Sequence, residues 1–336
     1  MSALRWALVH APEDPAVGAW IAAAAAVDAP KPRLVPWADV LNGTAAFDDG
    51  ELVHAERLTP VAPARYGGSL DRHGRLATAL ATLNEQLVTG DATATADVAA
   101  TLLALDRKRC TEHLAAAGVS VPVVSAGDGV VRQRFTEPCD ALSSLSASGD
   151  GVRSTLALTR TRGGFELRHT LHGHYYRGAT DDPPGDEGIV VRELLARDDE
   201  TFAVEELPTA YLNNAQYRFR LAVIDGRVTH AAGRVADTLV AREYFGGRRR
   251  EIEAYQARFG AEAWDRLTGI AEQAAAAFPS LRALGVDIAA SQVGGADLVY
   301  DIDPFGARLP AALGLPGTAG AGLEVGATTL RSWLTR

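Results

Sequence analysis

Lysine is almost missing from this chain: Lys31 and Lys108 stand alone against a large number of arginines. The scarcity is compositional, and it makes Lys108 conspicuous. Cysteine is scarce too, with only Cys110 and Cys139 and no Cys-x-x-Cys pair. That excludes a disulfide framework or a structural zinc site and leaves two ordinary buried thiols. Long apolar runs are absent; Ile21 to Val27 is short and alanine-rich, so no membrane span is expected. The opening residues show no basic stretch followed by an apolar core and cleavage site, which makes the cytoplasm the expected compartment. Positive charge is not in excess either. A net charge of -9 argues against nucleic-acid binding, because a phosphate backbone requires a broad cationic surface.

What is present is a globular composition. With 336 residues, 47% hydrophobic and 22% charged, the chain can bury two or three proper cores. Leu4 to His10 reads as an apolar strand, Asp14 to Val27 as a helix, and Arg33 to Val35 as a second strand before Pro36. This alternation predicts an open α/β unit over residues 1–92. Its His-Ala-Pro-Glu-Asp-Pro turn is no glycine-rich dinucleotide fingerprint, so nothing argues for NAD. Two helical patterns then meet at Asp106 to Lys108, the second ending at Gly118. The run from Val119 to Val124 starts a strand containing a proline.

From about residue 139 the pattern breaks into short β segments. Ser146 to Gly151 form a small-residue loop that is either a plain turn or a place where backbone amides approach phosphate. Thr201 to Pro208 reads as a strand carrying Glu205 and Glu206. A hairpin follows around Asp225-Gly226, a favoured two-residue turn. Arg218 and Arg220 share one of its faces. In strict register Arg234, on the return strand, belongs to the opposite face, so it can join Arg220 only through a bulge or a longer turn. An arginine- and glycine-rich loop containing Arg248 to Arg250, a helix from about Ala261 to Phe278 and a closing helix near Leu323 to Leu334 complete the pattern.

The most informative stretch is Tyr300 to Pro310. Asp301 and Asp303 alternate with Tyr300 and Ile302, so the two carboxylates point one way and the apolar pair the other. Asp287 lies in a preceding strand, and an antiparallel return through Val293 to Asp297 brings it beside them. Buried carboxylates repel one another and need compensation. Either this is a solvated strand end opening into an Asp-Pro turn, or three acids converge as oxygen ligands for magnesium or manganese.

The order of these features resembles the ATP-grasp superfamily over roughly residues 100 to 310, with the N-terminal unit similar to the domain that usually precedes it. The resemblance implies an α/β fold of three parts, residues 1–92, 93–207 and 208–336. It assigns Asp287, Asp301 and Asp303 to metal, with Asp303 in place of the usual asparagine. Glu205 and Glu206 would meet adenine and ribose, Ser148, Gly149 and Gly151 the phosphates, and Lys108 the opening of the nucleotide region. Arg220 would face the phosphates, with Arg234 and Arg248 as further basic contacts. One departure stands out: Ala141 occupies about the place where the family carries a lysine, and Thr209 also stands where related sequences often have one.

The activity so implied is an ATP- and magnesium-dependent ligase joining a small-molecule or peptide carboxylate to an amine through an acyl phosphate. Arg220 and Arg234 would stabilise charge on the transferring group. Two alternatives remain open at this point. A degenerate scaffold would bind nucleotide or a partner without turnover, and a metal-dependent glycosyltransferase would use Asp-x-Asp to hold a nucleotide-sugar diphosphate.

Overall fold

The computed structural model describes residues 5–58, 69–125, 130–134, 156–161, 164–169, 175–177, 201–204, 210–212, 215–236, 248–250, 252–291, 296–307, 309 and 311–335. The first unit is built from β1 (Trp6–His10), α1 (Pro15–Ala26), β2 (Arg33–Pro36), α2 (Trp37–Leu41), β3 (Leu52–Ala55), α3 (Ser69–Gly90) and β4 (Thr93–Ala94). Its four strands are parallel in the order β2-β1-β3-β4, so the sheet runs past residue 92. Asp14 caps α1 by accepting from the Ala16 amide, and Pro15 occupies the first turn, where its missing N–H costs nothing.

Two helices continue the chain, α4 (Val98–Leu105) and α5 (Arg107–Ala116). Asp106 separates them, closing α4 and accepting from the Arg109 amide to open α5. The middle region contributes β5 (Val124–Ser125), β6 (Val130–Gln133), β7 (Leu156–Thr161), β8 (Gly164–His169), β9 (Tyr175–Arg177) and β10 (Thr201–Val204). They form two antiparallel three-stranded sheets, β5-β10-β6 and β7-β8-β9. The strand expected from Val119 starts only at Val124, after Pro122, whose ring removes the ladder donor.

The last region is a six-stranded antiparallel sheet. It comprises β11 (Ala210–Leu212), β12 (Ala215–Ile224), β13 (Arg227–Ala236), β14 (Arg248–Arg250), β15 (Ala283–Ala289) and β16 (Leu298–Asp303). The path is β14-β13-β12-β15-β16, with β11 also on β12. Arg248 to Arg250, expected as loop, are thus an edge strand paired with β13. Asp225 and Gly226 turn the β12–β13 hairpin with φ of 48° and 76°, the left-handed geometry of the favoured two-residue loop.

Helices α6 (Ile252–Phe259) and α7 (Ala261–Ala276) cover one face of this sheet. Leu267, Ala271 and Ala274 meet Phe219, Leu221, Val286, Ile288, Val299 and Ile302 in the largest core. The final helix, α8 (Val325–Leu334), packs on the first unit instead. Its Leu330 and Trp333 join Trp6, Leu8 and Trp20 in a separate core. Cys110 is buried as expected, while Cys139 lies outside the described residues.

Candidate active site

The face of the large sheet opposite α7 carries the charged residues. Arg220 on β12 pairs with Asp287 on β15, which pairs with Asp301 on β16, so one row of ionisable side chains crosses three strands. A register shift beside Asp287 makes this compatible with the core. Past it Ile288 opposes Val299 and both turn inward, which leaves Tyr300 as the extra residue. Tyr300, expected on the apolar face with Ile302, therefore lies with its ring centroid 6.0 Å from the Arg218 guanidinium. Asp303 opposes Gly285, where a Cβ would sit 3.2 Å from the Asp303 Cβ and 3.1 Å from the Ala307 Cα. Glycine there gives Asp303 its space.

The solvated reading of the acid pair is excluded, since Asp287 and Asp303 are buried and the Asp301 side chain is only 8% exposed. What compensates the acids is arginine. Arg220 grips Asp287 through Nε and Nη2, each at 2.6 Å. Arg107, the first residue of α5, does the same to Asp301 at 3.1 and 2.5 Å. Arg57, just past β3, donates to Asp303 at 2.6 Å, and Arg220 approaches the same carboxylate at 3.6 Å. Fork-on-carboxylate geometry of this kind is the strongest ordinary ion pairing. Burial works against the charge on Arg220, yet Asp287, with Asp303 and Asp301 behind it, more than reverses this and raises its pKa.

Neither Arg57 nor Arg107 is among the residues singled out by sequence. Lys108 drew notice because lysine is rare, but it stands half-buried on α5, and its neighbour Arg107 is the one that reaches the acids. The available signals were positional. Arg107 opens a helix capped by Asp106, and Arg57 follows a parallel strand, where α/β folds collect ligand-binding groups. Arg57 also keeps a buried Nε–H without a hydrogen-bond partner.

The metal assignment of Asp287, Asp301 and Asp303 meets a difficulty in this geometry. Among the described residues no group of three acidic, histidine or cysteine side chains is arranged to hold an ion. Each of the three carboxylates is already engaged by a guanidinium, so the arrangement fits arginine rather than a resident divalent cation.

Arg234 answers the register question. The β12–β13 ladder shifts beside Ala222, after which Arg218 opposes position 234, so positions 218, 220 and 234 fall on one face. The side chains of Arg234 and Arg248 are not described. Ser148, Gly149, Gly151, Glu205, Glu206, Ala141 and Thr209 lie outside the described residues altogether.

The architecture is that of the ATP-grasp fold, a mixed α/β arrangement with parallel and antiparallel sheets. Its solved relatives include the ATP-grasp ligase PsnB complexed with a minimal precursor, at 14% identity and a TM-score of 0.54 over 99% of both chains. The D-alanine–D-alanine ligase of Bacillus anthracis complexed with ATP matches at 13% identity and a TM-score of 0.51, over 99% of this chain and 96% of that one. The macrocyclase MdnC bound with precursor peptide MdnA, from Microcystis aeruginosa MRC, matches at 10% identity and a TM-score of 0.51 over 99% of both chains. No protein-family model and no curated protein sequence matches the chain.

Proposed function

We propose that this protein is an ATP-dependent ligase that joins a carboxylate to an amine, with an acyl phosphate as the activated species. The observation that carries the reading is the buried array of Asp287, Asp301 and Asp303 with Arg57, Arg107 and Arg220, assembled from three separate parts of the chain on the ATP-grasp fold. PsnB and the Bacillus ligase support it as relatives in fold whose solved complexes contain ADP with magnesium, and ATP.

Forming an acyl phosphate moves the terminal phosphoryl group of ATP onto a carboxylate oxygen, and amine attack then builds negative charge on a tetrahedral carbon. Both steps need cations held still in a dry site. Arg220 supplies one from a rigid central strand, Arg57 and Arg107 supply two more, and their aspartates keep the guanidinium planes oriented before substrate arrives. Arg234, on the same sheet face, is a fourth candidate. Lys108, Glu205, Glu206, Arg248 and the Ser148–Gly151 loop remain proposed nucleotide contacts. Magnesium enters this reading only as the companion of ATP, and no step is assigned to it.

A second reading, a scaffold that binds nucleotide or a partner without turnover, is favoured by one observation: the acids expected to hold metal are all held by arginines. The glycosyltransferase alternative is dropped, because Asp301-x-Asp303 lies on an edge strand of an ATP-grasp fold. Supplying ATP, magnesium and panels of carboxylates and amines should yield ADP and phosphate. AMP with pyrophosphate would overturn the acyl-phosphate route, and ATP binding with no release under any acceptor would leave the scaffold.

A further inference from the structure

A chain of charged side chains joins the β5–β10–β6 sheet to the array, and two of its members are neighbours in sequence. Arg134, directly after β6, grips Asp106 with Nε on Oδ1 at 3.1 Å and Nη2 on Oδ2 at 3.0 Å. The next residue, Arg107, grips Asp301 on β16 in the same way. The main chain reinforces the link, because the Arg107 amide donates to the Arg134 carbonyl at 2.9 Å. Asp106 and Arg107 are buried and Arg134 is half-buried. A forked guanidinium on a shielded carboxylate fixes direction as well as distance.

Asp106 is a joint. Its ψ of 91° is extended, so it ends α4 and starts α5 without being part of either helix. The same Oδ1 that Arg134 holds also caps α5, accepting from the Arg109 amide at 3.2 Å. One carboxylate thus sets where α5 begins and in which direction it leaves, and Arg107 is the first residue of that helix. Consecutive Cα atoms stand about 3.8 Å apart, so a displacement of Asp106 by Arg134 is passed on to Arg107 almost undiminished.

We propose that Asp106 and Arg134 are positioning residues, which act through Arg107 to hold Asp301 in the charged array. The β5–β10–β6 sheet and the array are thereby set as one unit. Strand β10, which pairs with β6, runs directly into Glu205 and Glu206, proposed above as nucleotide contacts, so the joint at Asp106 ties the nucleotide end of the site to its acidic end. The effect on turnover rests on the ligase reading; the link itself does not.

Hydrogen exchange of the nucleotide-free full chain tests the link. Asp106→Asn keeps the acceptor for the Arg109 amide, since asparagine caps a helix as well as aspartate does, but loses the charge that faces Arg134; Arg134→Gln removes the guanidinium. Each should speed exchange in β16 by about fivefold or more relative to the change in β1, where general loosening would show equally. With ATP, magnesium and the panels of carboxylates and amines, each should lower the kcat for ADP release about tenfold or more and leave the KM for ATP within about threefold, because a misoriented group is lost from the transition state rather than from nucleotide binding. The double variant should fall no further than the worse single one, and Arg134→Lys should recover part of the loss. Exchange that rises equally in β1 and β16, or in neither, would overturn the link. ADP release at the parent kcat by both single variants would overturn the positioning role. Local exchange as expected in a chain that releases no ADP with any pair would support the link and remove the ligase reading.

Discussion

The parallel sheet of the first unit and the antiparallel sheet of the last use their strands in opposite ways. In β1 and β3 most strand residues are spent on cores, and the chemistry sits just beyond a strand end, at Arg57 after β3. In the antiparallel sheet the chemistry stands on the face itself, with Arg218, Arg220, Asp287 and Asp301 alternating with core residues along the strands. The reason is solvent access. Crossover helices cover both faces of a parallel sheet, while an antiparallel sheet can cover one and offer the other to a ligand. The candidate site forms where the strand end of one region meets the open face of the other.

The largest effect should come from breaking that junction. Removing Arg107 by Arg107→Ala leaves Asp301 buried without its main counter-charge, which should cost about 3–5 kcal/mol in urea unfolding. The pair variant Arg107→Met with Asp301→Leu should recover most of it, because the desolvation penalty disappears along with the attraction. If the single variant were as stable as the parent, the array would be a surface feature and the contrast between the two sheets would fail.

Next in size is Gly285→Val. The added Cβ meets the Ala307 Cα at 3.1 Å and the Asp303 Cβ at 3.2 Å, so overpacking should cost about 1–3 kcal/mol. On the ligase proposed above, it should also lower ATP turnover beyond the stability loss by shifting Asp303 away from Arg57. The contrasting change at the tip of the β12–β13 hairpin, Gly226→Ala, has open space around it but a φ of 76°. It should cost about 1 kcal/mol and leave activity intact.

A smaller effect concerns pH. His230 is buried, with one ring nitrogen bonded to the Thr229 hydroxyl and the other to the Leu323 carbonyl, both at 2.9 Å. Burial lowers its pKa, with the Leu323 contact opposing in part. Burial lowers His73 as well, against the pull of Asp106. A depressed folded pKa means that this stability is fully present above the ordinary histidine value of about 6.5 and is lost as pH falls through the folded pKa. The urea midpoint should therefore drop as pH falls from neutral towards 5, and His230→Gln should make the drop shallower. The smallest effect belongs to Arg227 and Glu272, whose arginine is 80% exposed. Arg227→Ala should change stability by less than about 1 kcal/mol.

Much of the fold was readable because its signals are local. Alternation in β12 and the Asp-Gly turn each act within a few residues, and each appears where the pattern puts it. The convergence of Asp287 on Asp301 was readable for the same reason, since a hairpin of known sense brings back one particular residue. The position of Tyr300 was not, because its bulge lets Val299 and Ile302, which strict alternation would put on opposite faces, both enter one core. The presence of Arg234 on the Arg220 face likewise waited on a shift in the β12–β13 ladder that only the folded sheet reveals.

Period and punctuation alone dictated that three aspartates would share one patch of a β hairpin. Which charges answer them was settled by folding: Asp303 finds Arg57 across 246 positions of chain, Asp301 finds Arg107 across 194, and Asp287 finds Arg220 across 67. A strand's two faces follow from backbone geometry, which every residue carries with it. The neutralisation of a buried charge depends on what lies a few ångströms away through space, and no residue carries that information along the chain.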